Sequence, residues 1–180
     1  MTAATHACVV LGIGLRAQAP ADALQALWRE AQAALTAPAP QGPQGHWAAH
    51  TSHAPHAAQV DGFCAVALLD SKARHPALAR WLQAVAPHAA VIAVAQDQLP
   101  AQPVATHSPR LQARYGTGSV AEAAALSAAG PEATLIVPRL VAADGSATLA
   151  VAIRRAVPPD CCLAAAASVR AARPLQGATA

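Results

Sequence analysis

Lysine is nearly missing from this chain of 180 residues; Lys72 is the only one. Charged residues make up 12% of the sequence, and the net charge is only +3 with histidine neutral. No dense Lys/Arg stripe exists, which argues against nucleic acid as a partner. Aromatic residues are just as scarce: phenylalanine and tyrosine occur once each. The core must therefore be built from Leu, Val, Ile and Ala, which supply most of the 54% hydrophobic content. The four cysteines, Cys8, Cys64, Cys161 and Cys162, have neither metal-ligand spacing nor the pattern of a disulfide framework. Cys8 and Cys64 fall in apolar runs and read as small buried hydrophobes. The start, MTAATHACVV, lacks a basic segment, and its apolar run is too short for a signal or a membrane span. These absences predict a soluble, cytoplasmic single domain with no membrane partner.

What is present alternates between two periods. Ala7–Ile13 reads as a buried strand ending in a Gly12-Ile13-Gly14 turn. Pro20 and Asp22 open a helix with an apolar stripe of Leu24, Leu27, Trp28, Ala31 and Leu35. Phe63–Leu69 and Ala89–Ala95 are continuous apolar runs, predicted as buried strands, with a helix over Pro76–Val85 between them. A short helix from Ser108-Pro109 to Tyr115 precedes a longer one. Thr134–Val137 and Ser146–Arg154 read as two strands that the Asp144-Gly145 turn makes antiparallel. The order β-α-β-α-β-α-α-β-β predicts a single three-layer α/β domain. Its mixed, mostly parallel sheet has helices on both faces and an antiparallel edge. That domain spans 1–156, with a His- and Pro-rich insertion over 37–59 and a flexible tail over 157–180. No internal repeat is visible.

The most informative stretch is YGTGSVAEAAALSAAG, residues 115–130. Ser119 with Glu122 three residues later matches the capping box that starts a helix. Gly130-Pro131 ends it. Capping alone leaves Gly116, Thr117 and Gly118 without a purpose. A glycine turn running into a helix start aims several N–H groups at one place, which favours an anion.

Three predicted strands also end in polar or glycine residues: Gly12, Gly14 and Arg16; Asp70 and Lys72; Gln96 and Asp97. Parallel strands would bring these sets to one rim, where ligands of open α/β sheets bind. Arg16, Lys72, Arg74, Arg110 and Arg114 would then surround a cleft suited to carboxylates or phosphates. Duller readings stand beside this one. Gly12-Ile13-Gly14 lacks the third glycine of a dinucleotide fingerprint, and Asp70 and Lys72 are common as a cap and a solvated charge. His46, His50, His53 and His56 lie among prolines and glycines without an acidic or cysteine partner. They read as a linker, so no metal site is assigned.

Four pieces in order, GIGLR (12–16), ALLDSKARHPALARW (67–81), YGTGSVAEAAAL (115–126) and LIVPRLVAADGSATLAVAIRR (135–155), carry a further signal. Together they resemble the CobE / CbiG C-terminal domain family of cobalamin biosynthesis. The family pattern is G-I-G-x-R, then D-x-K, then G-T-x-S-V-x-E-A-A-A-L at a helix start, then a strand with V-P-K/R. Leu15 departs from the relatives that carry cysteine there, so no thiol chemistry is assigned. The larger CbiG proteins carry an additional N-terminal region; they open the lactone of cobalt-precorrin-5A and release acetaldehyde.

The resemblance implies a binding protein for a polycarboxylate corrin or precorrin intermediate, working beside other corrin-pathway enzymes, with no cofactor of its own. Gly12, Gly14, Arg16, Gly116, Thr117, Gly118, Ser119 and Glu122 are the candidate ligand-binding residues. A second implied reading is a hydrolase opening a precorrin-5A-type lactone. Asp70 would activate water, Lys72 would neutralise charge, and the 116–119 turn would serve as the oxyanion hole. An unrelated nucleotide-binding domain is the third.

Overall fold

Alternation along the first strand sets the layers. In the computed structural model, which describes residues 6–37 and 62–156, strand β1 covers His6–Leu15. Val9, Leu11, Ile13 and Leu15 pack into one cluster with Leu24, Leu27 and Trp28 of helix α1 (Ala21–Thr36). Leu78, Trp81 and Leu82 of helix α2 (Pro76–Val85) complete it. Cys8 and Val10 face the other way, into a second cluster with helix α4 (Val120–Ala129). Three layers result, with the sheet in the middle.

The sheet holds β1, β2 (Ala65–Leu69), β3 (Ala90–Val94), β4 (Thr134–Val141) and β5 (Ala147–Ala156) in the order β3-β2-β1-β5-β4. β1 pairs parallel with β2, and β2 with β3. β5 runs antiparallel to both β1 and β4. Four strands therefore point one way and β5 alone opposes them, from inside the sheet. The expected mixed sheet with helices on both faces is the observed one.

Helix α4 is apolar on nearly every side, and Val120 through Leu126 are all buried. Its contact with the sheet is made of small residues, including Ala123, Ala124 and Ala125 against Ala65, Ala67 and Ala152. Small side chains let the helix backbone press on the strands. This explains a chain rich in alanine with a closely packed core.

Three expectations need correction. Gly12 and Gly14 do not form a turn; both lie inside β1, which continues to Leu15. A Cβ on Gly12 would stand 1.8 Å from the Ala121 carbonyl oxygen, and one on Gly14 would stand 2.4 Å from Thr148 Oγ1. These glycines make room for a helix and a neighbouring strand. β3 is likewise no buried strand: Val91 and Ala93 are exposed while Val94 is buried. It is a sheet edge that the helices do not reach across, so it shows the half-buried alternation of edges. Finally, β4 extends past Val137 to Val141, with register shifts between Leu135 and Val137 and between Val137 and Leu140.

Cys8 is buried as expected, but as a disulfide-bonded residue rather than a thiol. The histidine-rich segment with His46, His50, His53 and His56, and the tail with Cys161 and Cys162, lie outside the described residues. Among the described residues no helix is long and apolar enough to cross a membrane, and no group of His, Cys, Asp and Glu could hold a metal ion.

Candidate functional site

Because β1, β2 and β3 are parallel, the residues that follow them emerge at one end of the sheet. Arg16 follows β1. Asp70 to Lys72 form a single 3₁₀ turn directly after β2, and Gln96 to Gln98 form another shortly after β3. The β4–β5 turn opens at the same end, where the Arg16 N–H donates to the Ser146 carbonyl at 2.9 Å.

Long-range hydrogen bonds tie these pieces together. His75 caps α2, its Nδ1 accepting from the Ala77 N–H at 3.2 Å. Its Nε2 then carries the proton and donates to the Arg16 and Ala17 carbonyls, both at 3.1 Å. At 9% exposed, His75 is a positioning clip between β1 and α2, and nothing in its sequence neighbourhood marked it as one. The Gln96 amide donates to the Arg114 carbonyl at 3.4 Å, joining the end of β3 to the end of helix α3 (Pro109–Tyr115).

The glycine turn lies between α3 and α4. Gly116 ends α3 with φ of +70°, a left-handed conformation that glycine adopts without strain. Gly118 is needed for a different reason: a Cβ there would meet the Thr106 carbonyl oxygen at 2.5 Å. Thr117 is buried, and its Oγ1 lies 3.5 Å from the Ser119 N–H. Ser119, fully buried, caps α4 through its Oγ, which accepts from the Glu122 N–H at 3.4 Å. The N–H groups of Val120 and Ala121 in the first turn find no acceptor among the described residues.

Glu122 departs from the capping-box expectation. Its carboxylate does not reach back to Ser119. Instead Oε2 accepts from the Ala105 and Thr106 N–H groups at 2.7 and 3.0 Å. Oε1 accepts from the Thr106 hydroxyl at 2.9 Å and from the Arg139 N–H at 2.8 Å. A carboxylate has about four lone-pair sites, and the protein itself fills them. Glu122 is thus a fully buried staple that joins α4, the 105–106 loop and β4.

The candidate charges are disposed differently from one another. Asp70 is exposed and Lys72 half-buried, and neither side chain makes a hydrogen bond or ion pair among the described residues. The two side chains do not pair with each other. Arg16 is exposed and leans toward the β4–β5 turn, with its guanidinium about 4 Å from where a Gly145 Cβ would stand. There it helps hold the Asp144 carboxyl below the usual aspartate range. The larger causes are the hydrogen bonds that Asp144 accepts from the Ser146 hydroxyl and N–H, at 2.7 and 2.9 Å. Arg114 lies over the Tyr115 ring, 5.2 Å from its centroid. One basic residue of this end was passed over in the sequence. Arg139, next to Pro138 in β4, donates from Nη1 to the Gly118 carbonyl at 3.5 Å. Its signal in the sequence is the basic position of the V-P-R run.

Fold and site define a small three-layer α/β domain whose polar groups gather where parallel strands end beside a helix start. Residues 46–152, more than half of the chain, match the family described as cobalamin synthesis G C-terminus. The chain belongs to that family, and so to cobalamin biosynthesis. It is similar to the crystal structure of CobE, a protein from the cobalamin (vitamin B12) biosynthetic pathway. That match has 23% identity and a TM-score of 0.61, covering 82% of this chain and 94% of the other. It is also similar to the cobalamin biosynthesis protein ChiG from Agrobacterium tumefaciens C58. There the identity is 29% and the TM-score 0.49, covering 80% of this chain and 96% of that one. A comparison with curated proteins found no match.

Proposed function

We propose that this protein binds a polycarboxylate corrin or precorrin intermediate at the carboxyl end of its sheet. The observation that supports the reading is Arg139 bonded to Gly118 of the 116–119 turn, in a sheet whose parallel strands β1 and β2 are followed at one end by Arg16 and Lys72. Corrin precursors are rings edged with acetates and propionates, and several separated cations suit such a ligand better than one deep charge. Glu122, Gly12 and Gly14 serve this site by placing α4 and the loops, not by touching the ligand. Thr117 and Ser119 set the turn. Membership in a cobalamin family supports the ligand class. Equilibrium dialysis of the full chain against hydrogenobyrinic acid tests the proposal. Retention at micromolar protein is expected, and its absence overturns the reading.

A second reading, lactone hydrolysis, draws on Asp70 and Lys72. Both stand directly after β2 with side chains uncommitted among the described residues, as a water-activating carboxylate and a charge-neutralising ammonium need to be. Acetaldehyde released from a lactone-bearing precorrin, and lost in Asp70→Ala, is its signature. Turnover unchanged in that variant removes Asp70 from the chemistry.

A further inference from the structure

Arg139 is held firmly by its backbone and loosely by its side chain. β4 carries an extra residue between Val137 and Leu140 relative to β5. Such a bulge releases a backbone group from the ladder and re-aims its side chain. Here the Arg139 N–H leaves the sheet and donates to Glu122 Oε1 at 2.8 Å. The guanidinium has no comparable anchor. Its one hydrogen bond among the described residues, Nη1 to the Gly118 carbonyl, is 3.5 Å long, and that carbonyl already accepts from the Ser108 N–H at 3.0 Å. Its Nε is buried with no partner among the described residues.

A guanidinium offers five N–H donors in a flat fork, and proteins rarely bury one of them unpaired. We infer that Arg139 is the carboxylate-recognising residue of the proposed site. It would engage one acid group of the ligand through two parallel N–H···O bonds from its Nε edge. Among the described residues the long contact to Gly118 is the one hydrogen bond that must break for the fork to turn outward, while the Glu122 staple keeps the Cα in place. This assignment rests on the corrin-binding reading and adds to it the residue that distinguishes an acid from its ester.

The test pairs a change in the protein with a change in the ligand, so that the coupling between them is read directly. Full-length wild type, Arg139→Gln and Arg139→Lys are titrated with hydrogenobyrinic acid and with its permethyl ester, following corrin absorbance. Thermal unfolding of each protein is measured alongside. Loss of a charge-assisted bidentate pair predicts about 10- to 100-fold weaker binding of the acid by Arg139→Gln. Arg139→Lys, which keeps the charge but not the fork, falls between. Ester binding stays equal in all three, and the unfolding midpoints stay within a few degrees.

Acid binding by Arg139→Gln as tight as wild type overturns the inference alone and leaves the corrin reading standing. So does a wild type that binds acid and ester equally, a result that needs no variant to fold. A wild type that binds neither overturns the reading and this inference with it.

Discussion

Replacing Glu122 by glutamine changes one atom at the junction of α4, the 105–106 loop and β4. The carboxylate accepts from three backbone N–H groups and one hydroxyl. An amide can place its oxygen at only one of the two oxygen positions. With NH₂ at the Oε2 position, the Ala105 and Thr106 N–H groups both lose their acceptor. With NH₂ at the Oε1 position, the Thr106 hydroxyl can rotate to accept, and only the Arg139 N–H is orphaned. The second arrangement is therefore the one adopted. An orphaned buried donor costs about 1–3 kcal/mol. The bonds that remain lose their charge assistance, which costs about 1 kcal/mol more. That last figure is net of the lower desolvation penalty of an uncharged amide. The net is about 2–4 kcal/mol, a large share of the roughly 5–15 kcal/mol that holds a domain together. For a chain of this size it corresponds to about 4–16 °C in the unfolding midpoint.

Circular dichroism melts of wild type and Glu122→Gln measure that drop. Thr106→Val, which removes the hydroxyl donor, completes a double-mutant cycle: in Glu122→Gln the two changes should combine to less than their sum. A Glu122→Gln midpoint within 2 °C of wild type, outside the range of about 4–16 °C, refutes the view that the four bonds act as a staple.

Gly12→Ala should lose several kcal/mol, of the order of overpacking a tight core, because the new methyl meets a helix carbonyl that cannot move alone. Urea unfolding checks this against Gly62→Ala, where nothing lies within 4 Å and no loss is expected. Asp144 provides a pH test. Its folded carboxyl titrates below its unfolded value, so its stabilising contribution is fully present above the ordinary aspartate range. That contribution is lost as pH falls through the folded value. Asp144→Asn should therefore flatten the decline of the unfolding midpoint below about pH 4 and leave its slope above pH 6 unchanged. Equal acid slopes in the two proteins refute the assignment.

Much of this molecule is decided locally, and that part was legible. Pro76–Val85 is a helix with the expected bounds because proline at its start and an apolar stripe are properties of neighbouring residues. The Ser119 cap and the Gly130 stop hold for the same reason. The element order also implied the layers, since each apolar face must find another. The four family motifs lie on these elements, so the kinship was readable before any coordinates.

What the tertiary structure alone decided concerns groups whose partners are distant in the chain. Glu122 had a local partner available in Ser119, yet it turned to donors 16 and 17 residues away, because three backbone N–H groups converge on it. Gly12 looked like a turn and proved to be the place where a helix touches a strand. Ala89–Ala95 reads as buried because its residues are apolar, and only the position of β3 at the sheet's edge exposes Val91 and Ala93. Arg139 drew no attention until a bulge aimed its backbone at Glu122 and left its fork half-used. Period and capping are written in adjacent residues; hydrogen-bond partners across the fold depend on which surfaces meet, and that is settled only when the layers close.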